Sequence, residues 1–141
     1  MDNLKIKEKL IESDIKPTIQ RILIYNFLNN LEGSHLTSEE IYIKISKEFN
    51  QISRATIYNT LNLFTEKNII HTLKIDNKEK IYECTTKPHG HFVCEKCGKI
   101  EDFPFDPKSE EKKLKNLTGE IRTIEVIAKG ICKKCKTKSK N

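Results

Sequence analysis

The stretch His89-Gly90-His91-Phe92-Val93-Cys94-Glu95-Lys96-Cys97-Gly98 decides how the rest of this 141-residue chain is read. It contains one Cys-x-x-Cys knuckle, and a second, Cys132-Lys133-Lys134-Cys135, follows after the 34 residues from Gly98 to Ile131. Two knuckles supply four thiolates, the ligand set of a closed tetrahedral zinc site. Two intervening residues let both sulfurs of one knuckle reach a single ion, and Gly98 suits the sharp turn after the first. The same cysteines could instead form two disulfides or act as reactive dithiols. No secretory leader accompanies them, which favours reduced thiols and zinc. Upstream, His89 and His91 are two residues apart, so on a strand both imidazoles leave one face. They imply a second metal site, chemically distinct from the first.

Working outward, 36% hydrophobic and 33% charged residues describe a soluble globular protein. The length allows one domain or two small ones, and neither half alone buries a large core, a shortage that a zinc staple offsets. No apolar run approaches membrane-spanning length, so no membrane partner and a cytoplasmic location are expected. The formal charge of +6 is uneven: residues 1 to 82 hold 12 Lys/Arg against 11 Asp/Glu, and residues 83 to 141 hold 14 against 9. Four ionised cysteines and one zinc dication lower the second surplus by two. Net charge alone therefore does not say which surface meets nucleic acid.

The N-terminal half reads as helices followed by a hairpin. Leu4, Ile6, Leu10 and Ile11 predict a short helix over Leu4 to Ser13, interrupted by Lys16-Pro17-Thr18. A second helix runs from Thr18 through Leu23, Ile24, Phe27, Leu28 and Leu31 until Gly33. Thr37-Ser38-Glu39-Glu40 fits a capping box opening a third helix, on which Ile41, Ile45 and Phe49 repeat every fourth residue. Ser53 caps a fourth helix reaching about Lys67, with Ile57, Leu61 and Phe64 along one stripe and Arg54, Tyr58 and Asn62 along an adjoining one.

That second stripe has the chemistry of a base-reading surface. Arg forks onto guanine or phosphate, Asn pairs with adenine, and Tyr bonds phosphate or lies against a thymine methyl. Alone it equally describes a solvated helix face with Tyr58 half in the core. Context decides: Ile70 to Ile75 and Lys80 to Cys84 flank the polar turn Asp76-Asn77-Lys78-Glu79, and helices followed by such a hairpin make a winged helix-turn-helix.

In the C-terminal half, strands are expected near Gly90 to Val93 and Lys99 to Phe103. A helix is expected with Asp106 as cap, Pro107 at its first position, Leu114 and Leu117 facing inward, and Gly119 at its end. Ile124, Val126 and Ala128 alternate through a strand that delivers Cys132 and Cys135. This small unit offers a monomer little inward surface, which predicts a homodimer through its sheet and helix. The polar tail from Lys136 to Asn141 is expected to fray.

Taken together, Thr18-Ile19-Gln20-Arg21, Ser34-His35-Leu36-Thr37-Ser38-Glu39-Glu40-Ile41-Tyr42, Ala55-Thr56-Ile57-Tyr58-Asn59-Thr60-Leu61, and His89-Gly90-His91 with both knuckles resemble the Fur family of metal-dependent repressors over nearly the whole chain. The resemblance implies an α+β chain: a winged-helix DNA-binding domain, residues 1–83, then a small α/β dimerisation domain, residues 84–141, with structural Zn(II) on Cys94, Cys97, Cys132 and Cys135. It also implies a regulatory Fe(II), Mn(II) or Zn(II) at a hinge site made by His35, Glu83, His89, His91 and Asp102. These ligand types do not distinguish among the three ions. Lys16, Arg54, Tyr58 and Asn59 are the implied contacts to a double-stranded operator, Lys16 to phosphate or minor groove and the others to bases.

Asp102, Asn59 after Tyr58, and the step from Glu83 to His89 resemble the peroxide-sensing PerR branch, where bound Fe(II) reacts with peroxide and a ligating histidine, here His35 or His89, is oxidised. Glu83 stands where peroxide sensors usually carry Asp, and Pro88 and Gly90 replace residues that iron-responsive members use for a further site. His71 matches no family ligand and reads as a wing residue. Cys84 reads as a small buried hydrophobe, although a one-residue slip of its strand would bring it to the thiolate position of zinc-responsive members. The competing classes are an enzyme, a metallohydrolase or thiol oxidoreductase, and a zinc-ribbon interaction module. No cleft-forming domain accompanies the ligands, so a regulator with no small-molecule substrate is the expectation.

Overall fold

Asp2, Thr18, Thr37 and Ser53 each accept a hydrogen bond from the backbone amide three residues on, satisfying a donor that a helix start leaves open. Four helices follow from these caps: α1 Asn3–Glu12, α2 Ile19–Asn29, α3 Ser38–Glu48 and α4 Arg54–Glu66. At α3 the capping box is complete, with Glu40 reaching back to Thr37. The computed structural model describes residues 2–31, 34–76, 78–84, 88–117 and 119–139. Gly33, expected as a helix stop, and Asn77, expected in the hairpin turn, lie outside them. The chain divides into two compact units, Met1–Thr85 and Thr86–Asn141.

Unit 1 is built on the apolar stripes of its helices. Ile57, Leu61 and Phe64 of α4 are fully buried, as are Ile41 and Ile45 of α3 to within 1%. Ile6 and Leu10 of α1 join them, but Leu4 and Ile11 are 66% and 56% exposed: an i, i+4 pair turns inward while the flanking apolar residues lie on the outer arc of this short helix. Asp14 takes a left-handed conformation, φ 60°, that ends α1 before Lys16-Pro17 is reached. Tyr25 on α2, absent from the expected stripe, is buried edge-to-face against Phe64 with ring centroids 5.8 Å apart.

The wing has three strands: β1 Leu36–Thr37, β2 His71–Leu73 and β3 Ile81–Glu83, in the order β1-β3-β2. β1 was not expected. It is two residues long, yet its register, Leu36 opposite Tyr82 and Thr37 opposite Ile81, brings His35 across from Glu83. Cys84 is half-buried and packs against the unit's core.

Unit 2 holds β4 His89–Cys94, β5 Ile100–Pro104, α5 Lys108–Lys115, β6 Ile127–Gly130 and α6 Lys133–Ser139. β4 is central, antiparallel to β5 and parallel to β6. Several expectations are corrected here. The last strand begins at Ile127 rather than Ile124, because it is the pairing with β4 from His91 to Cys94 that makes it a strand, and the segment before it is irregular. α5 starts one residue later than expected: Pro107 is the N-cap, and Asp106 Oδ1 accepts from the Lys108 amide at 3.1 Å. It ends at Lys115, short of Gly119, and buries no residue; Leu114 and Leu117 are 38% and 80% exposed rather than inward. The tail is helical through Ser139, held by Lys136 N donating to Cys132 O at 2.9 Å and Thr137 Oγ1 donating to Lys133 O at 2.9 Å. Lys140 and Asn141 lie outside the described residues.

Candidate functional site

The parallel pairing of β4 with β6 brings the knuckles together. Cys94 ends β4 opposite Gly130, two residues before Cys132, and the Glu95 amide donates to Gly130 O at 2.7 Å. Gly98 turns the first knuckle with φ 79°, and its amide donates to Cys94 O at 2.9 Å. The four sulfurs lie within 4.8 Å of one another, and Cys97 Sγ is 3.8 Å from Cys132 Sγ. A zinc ion at about 2.3 Å from each of four sulfurs sets a tetrahedral edge of about 3.8 Å, whereas a disulfide needs about 2.05 Å. The donor set therefore fits a closed tetrahedral metal site, and all four thiols are free of disulfides.

Backbone amides prepare these sulfurs for ionisation. Cys132 N and Cys97 N each donate to Cys94 Sγ at 3.4 Å, and together they lower that thiol to about 6. Its neighbour Cys135 is pushed up to about 12 by the hydrogen bond with the Cys132 sulfur and by burial. A metal takes cysteines as thiolates, so binding at such a site is accompanied by proton release.

The remaining ligand candidates form a set in each unit. In unit 1, His35 Nε2 lies 3.6 Å from Glu83 Oε2, with the carboxylate side chain only 6% exposed. The short strand β1 positions the imidazole and β3 the carboxylate; His71, also opposite Glu83 in register, is exposed. In unit 2, β4 sends His89 and His91 from one face, their Nε2 atoms 3.1 Å apart. Asp102 stands directly across from His91 on β5, Oδ1 to Nε2 3.5 Å. Each set combines imidazole with carboxylate, the donor chemistry of Fe(II), Mn(II) and Zn(II) sites.

On α4 the expected base readers divide. Asn59 and Asn62 are exposed. Asn59 also lines an open cleft of about 280 Å³ with Thr56, Thr60, Thr18, Gln20 and Arg21. Lys16 is exposed, and its carbonyl accepts from Arg21 Nη1 at 3.0 Å. Arg54 and Tyr58 both meet Glu39 of α3. Arg54 Nη1 pairs with Glu39 Oε2, Tyr58 OH donates to the same oxygen at 2.6 Å, and Arg54 Nη1 donates to Tyr58 OH at 3.0 Å. The guanidinium also lies 4.1 Å from the centroid of the Tyr42 ring. The Tyr58 hydroxyl and then Arg54 hold the Glu39 carboxyl below the usual carboxylate range, and Glu39 raises Arg54. This pairing spans 15 residues between two helix starts; its sequence signal is Glu39 in the acidic first turn of α3.

Residues 12–129 match the model of the Ferric uptake regulator family. The Peroxide-responsive repressor PerR of Staphylococcus epidermidis is 35% identical over 129 residues, spanning 90% of this chain and 85% of that protein. Among solved structures, the Campylobacter jejuni peroxide stress regulator aligns with a TM-score of 0.69 at 31% identity, covering 96% of this chain and all of that one. The Helicobacter pylori ferric uptake regulator Fur, described as having three functional metal binding sites, aligns with a TM-score of 0.73 at 26% identity over 96% of this chain and 95% of that one. This chain belongs to the ferric uptake regulator family, a class of DNA-binding transcription regulators. Within that family, both a curated sequence relative and a solved structure above 30% identity carry a peroxide-response name.

Proposed function

We propose that this protein is a metal-dependent transcriptional repressor that binds operator DNA as a homodimer and responds to peroxide. In this reading residues 1–83 are the DNA-binding domain and residues 84–141 the dimerisation and metal-binding domain. It acts in the cytoplasm, without a small-molecule substrate and not as an enzyme. Among the described residues no helix is long and apolar enough to cross a membrane.

The observation that carries the proposal is the pairing of imidazole with carboxylate in each unit, His35 with Glu83 and His91 with Asp102. Only five residues, 84–88, separate Glu83 from His89, about 21 Å of fully extended chain, so the tether gives the two donor sets a high effective concentration for one ion. His35, Glu83, His89, His91 and Asp102 would hold that regulatory ion. Cys94, Cys97, Cys132 and Cys135 would hold the structural zinc.

An ion gripped from both sides restricts the angle between reading heads. Two reading helices of a dimer must meet major-groove faces about 34 Å apart, and a loose hinge spreads the dimer over incompetent spacings. A coupling of about 1 to 3 kcal/mol strengthens operator binding about five- to 150-fold, and DNA tightens the metal by the same factor. Fe(II), when bound, would supply the redox chemistry toward peroxide. His35 or His89, imidazoles assigned to that ion, would be the group oxidised, and its loss as a ligand would free the hinge. Lys16 contacts phosphate or minor groove, and Asn59 and Tyr58 lie on the surface that meets the bases, with Arg54 beside them and paired to Glu39.

The test is duplex binding by protein loaded with Fe(II), Mn(II) or Zn(II), before and after peroxide, with mass analysis of peptides containing His35 and His89. Loss of binding with iron alone, accompanied by one added oxygen on either peptide, supports the proposal. Indifference to peroxide would leave an iron, manganese or zinc sensor, the outcome consistent with Glu83 in place of Asp.

A further inference from the structure

Arg54 is the sole Lys or Arg between residues 54 and 66, so it is the one cation that α4 itself can offer to DNA. It stands at the first position of that helix, the end that enters the groove in a helix-turn-helix. Yet its guanidinium is committed three ways: paired with Glu39, hydrogen-bonded to Tyr58, and laid over the Tyr42 ring. All of these partners belong to α3 and α4, so the arrangement is complete without DNA. The Arg54 and Glu39 side chains remain 50% and 47% exposed, and an exposed pair contributes little to stability. Stability is therefore a weak reason for three groups to converge here.

Recognition offers a stronger one. A phosphate contact raises affinity for every sequence alike, whereas specificity is the difference between cognate and random DNA. A carboxylate placed against the reading helix's own cation removes one such indiscriminate contact. It also directs the Tyr58 hydroxyl, which leaves the ring's edge and face as the part offered to a base.

We propose that Glu39 is a specificity-determining positioning residue: it withholds the Arg54 guanidinium from DNA phosphates and holds Tyr58 in one orientation on the reading face. This inference rests on the DNA-binding reading above and adds that Arg54 is not a reader of operator or backbone in the wild-type protein.

The test uses the full chain with zinc and Mn(II), a random-sequence duplex, and a duplex enriched from a random pool by the wild-type protein. Wild type, Glu39→Gln, Arg54→Gln and the double variant are compared, with zinc content and far-ultraviolet circular dichroism confirming that each is folded. Freeing Arg54 adds one phosphate contact, so Glu39→Gln steepens the salt dependence on the random duplex by about 0.9 in log–log slope. That is an extra loss of about 3.5-fold between about 50 and 200 mM salt. Preference for the enriched duplex over the random one falls. Arg54→Gln alone keeps the wild-type slope, and in the double variant the effect of Glu39→Gln disappears.

A slope that drops by about 0.9 in Arg54→Gln overturns the inference, because Arg54 would already be on a phosphate. So does a gain in random-duplex affinity that is equal with and without Arg54, or no change in Glu39→Gln. These failures leave the DNA-binding reading intact. A wild-type protein that enriches no sequence and binds no duplex would instead remove the reading on which the inference stands.

Discussion

Removing the cysteine-bound metal is expected to unfold unit 2 while leaving unit 1 intact. Among the described residues, the buried apolar side chains of unit 2 are Val93, Cys94, Cys132 and Cys135, so three of four are members of the proposed zinc site. Withdrawing zinc therefore removes the ion and disorganises most of that small core together. Structural zinc contributes about 10 to 16 kcal/mol at neutral pH, while a whole domain is stable by about 5 to 15 kcal/mol, so the loss is comparable to or larger than the reserve of the unit. Among the described residues, unit 1 has a core cluster of fourteen buried side chains and needs no such staple. The sequence supplies a clean assay: all four tyrosines, Tyr25, Tyr42, Tyr58 and Tyr82, lie in unit 1. Near-ultraviolet circular dichroism of tyrosine should survive exhaustive chelation, whereas amide exchange protection in β4, β5 and β6 should be lost. Cys132→Ser should behave like chelation. Persistent protection of the Phe92 and Val93 amides in zinc-free protein would refute the reasoning.

Other expectations follow from individual residues. A Cβ added at Gly90 would lie 2.3 Å from Phe103 Cζ, so Gly90→Ala overpacks the strand between His89 and His91; it should cost about 1 to 3 kcal/mol by calorimetry and weaken Mn(II) binding by titration. Gly119→Ala, with nothing within 4 Å of the added carbon, should change stability by less than about 0.5 kcal/mol in the same measurement. Phe64→Ala removes a fully buried ring packed against Tyr25 and should cost unit 1 about 3 to 5 kcal/mol in a denaturant titration followed by tyrosine signal. Because Tyr58 and Arg54 depress the folded pKa of Glu39, the contribution of its carboxylate is present above the ordinary unfolded value of about 4.3 and is lost as pH falls through the lower folded value. The difference in melting temperature between wild type and Glu39→Gln should therefore stay constant from neutral pH to about 5 and shrink below about 4.

What could be read before the structure was the part written in local chemistry. Helix caps such as Thr37 and Ser53 act on amides three residues away, and the Ile57, Leu61 and Phe64 stripe repeats with the helix, so both are legible one segment at a time. The thiol knuckles are equally local, and the family's motifs extended them to His35, Glu83 and Asp102. What escaped depended on partners distant in sequence. β1 is two residues long and exists because β3 pairs with it. β6 begins at Ile127, where its pairing with His91 of β4 starts, not where the apolar alternation starts. Leu114 and Leu117 looked inward by pattern, but six of the eight residues of α5 are charged and the helix buries none of them. The Glu39, Arg54 and Tyr58 cluster joins two helices whose sequences separately suggested a cap and a base reader.

The most direct measurement is the affinity of the protein for its enriched duplex with the proposed regulatory ion removed and the cysteine-bound zinc retained, compared with the fully loaded protein at the same salt. A gain of about five- to 150-fold on loading, with the ion bound correspondingly tighter in the presence of that duplex, is the predicted result. Equal affinity of the two forms for the duplex would contradict an ion held jointly by both units as the determinant of DNA binding.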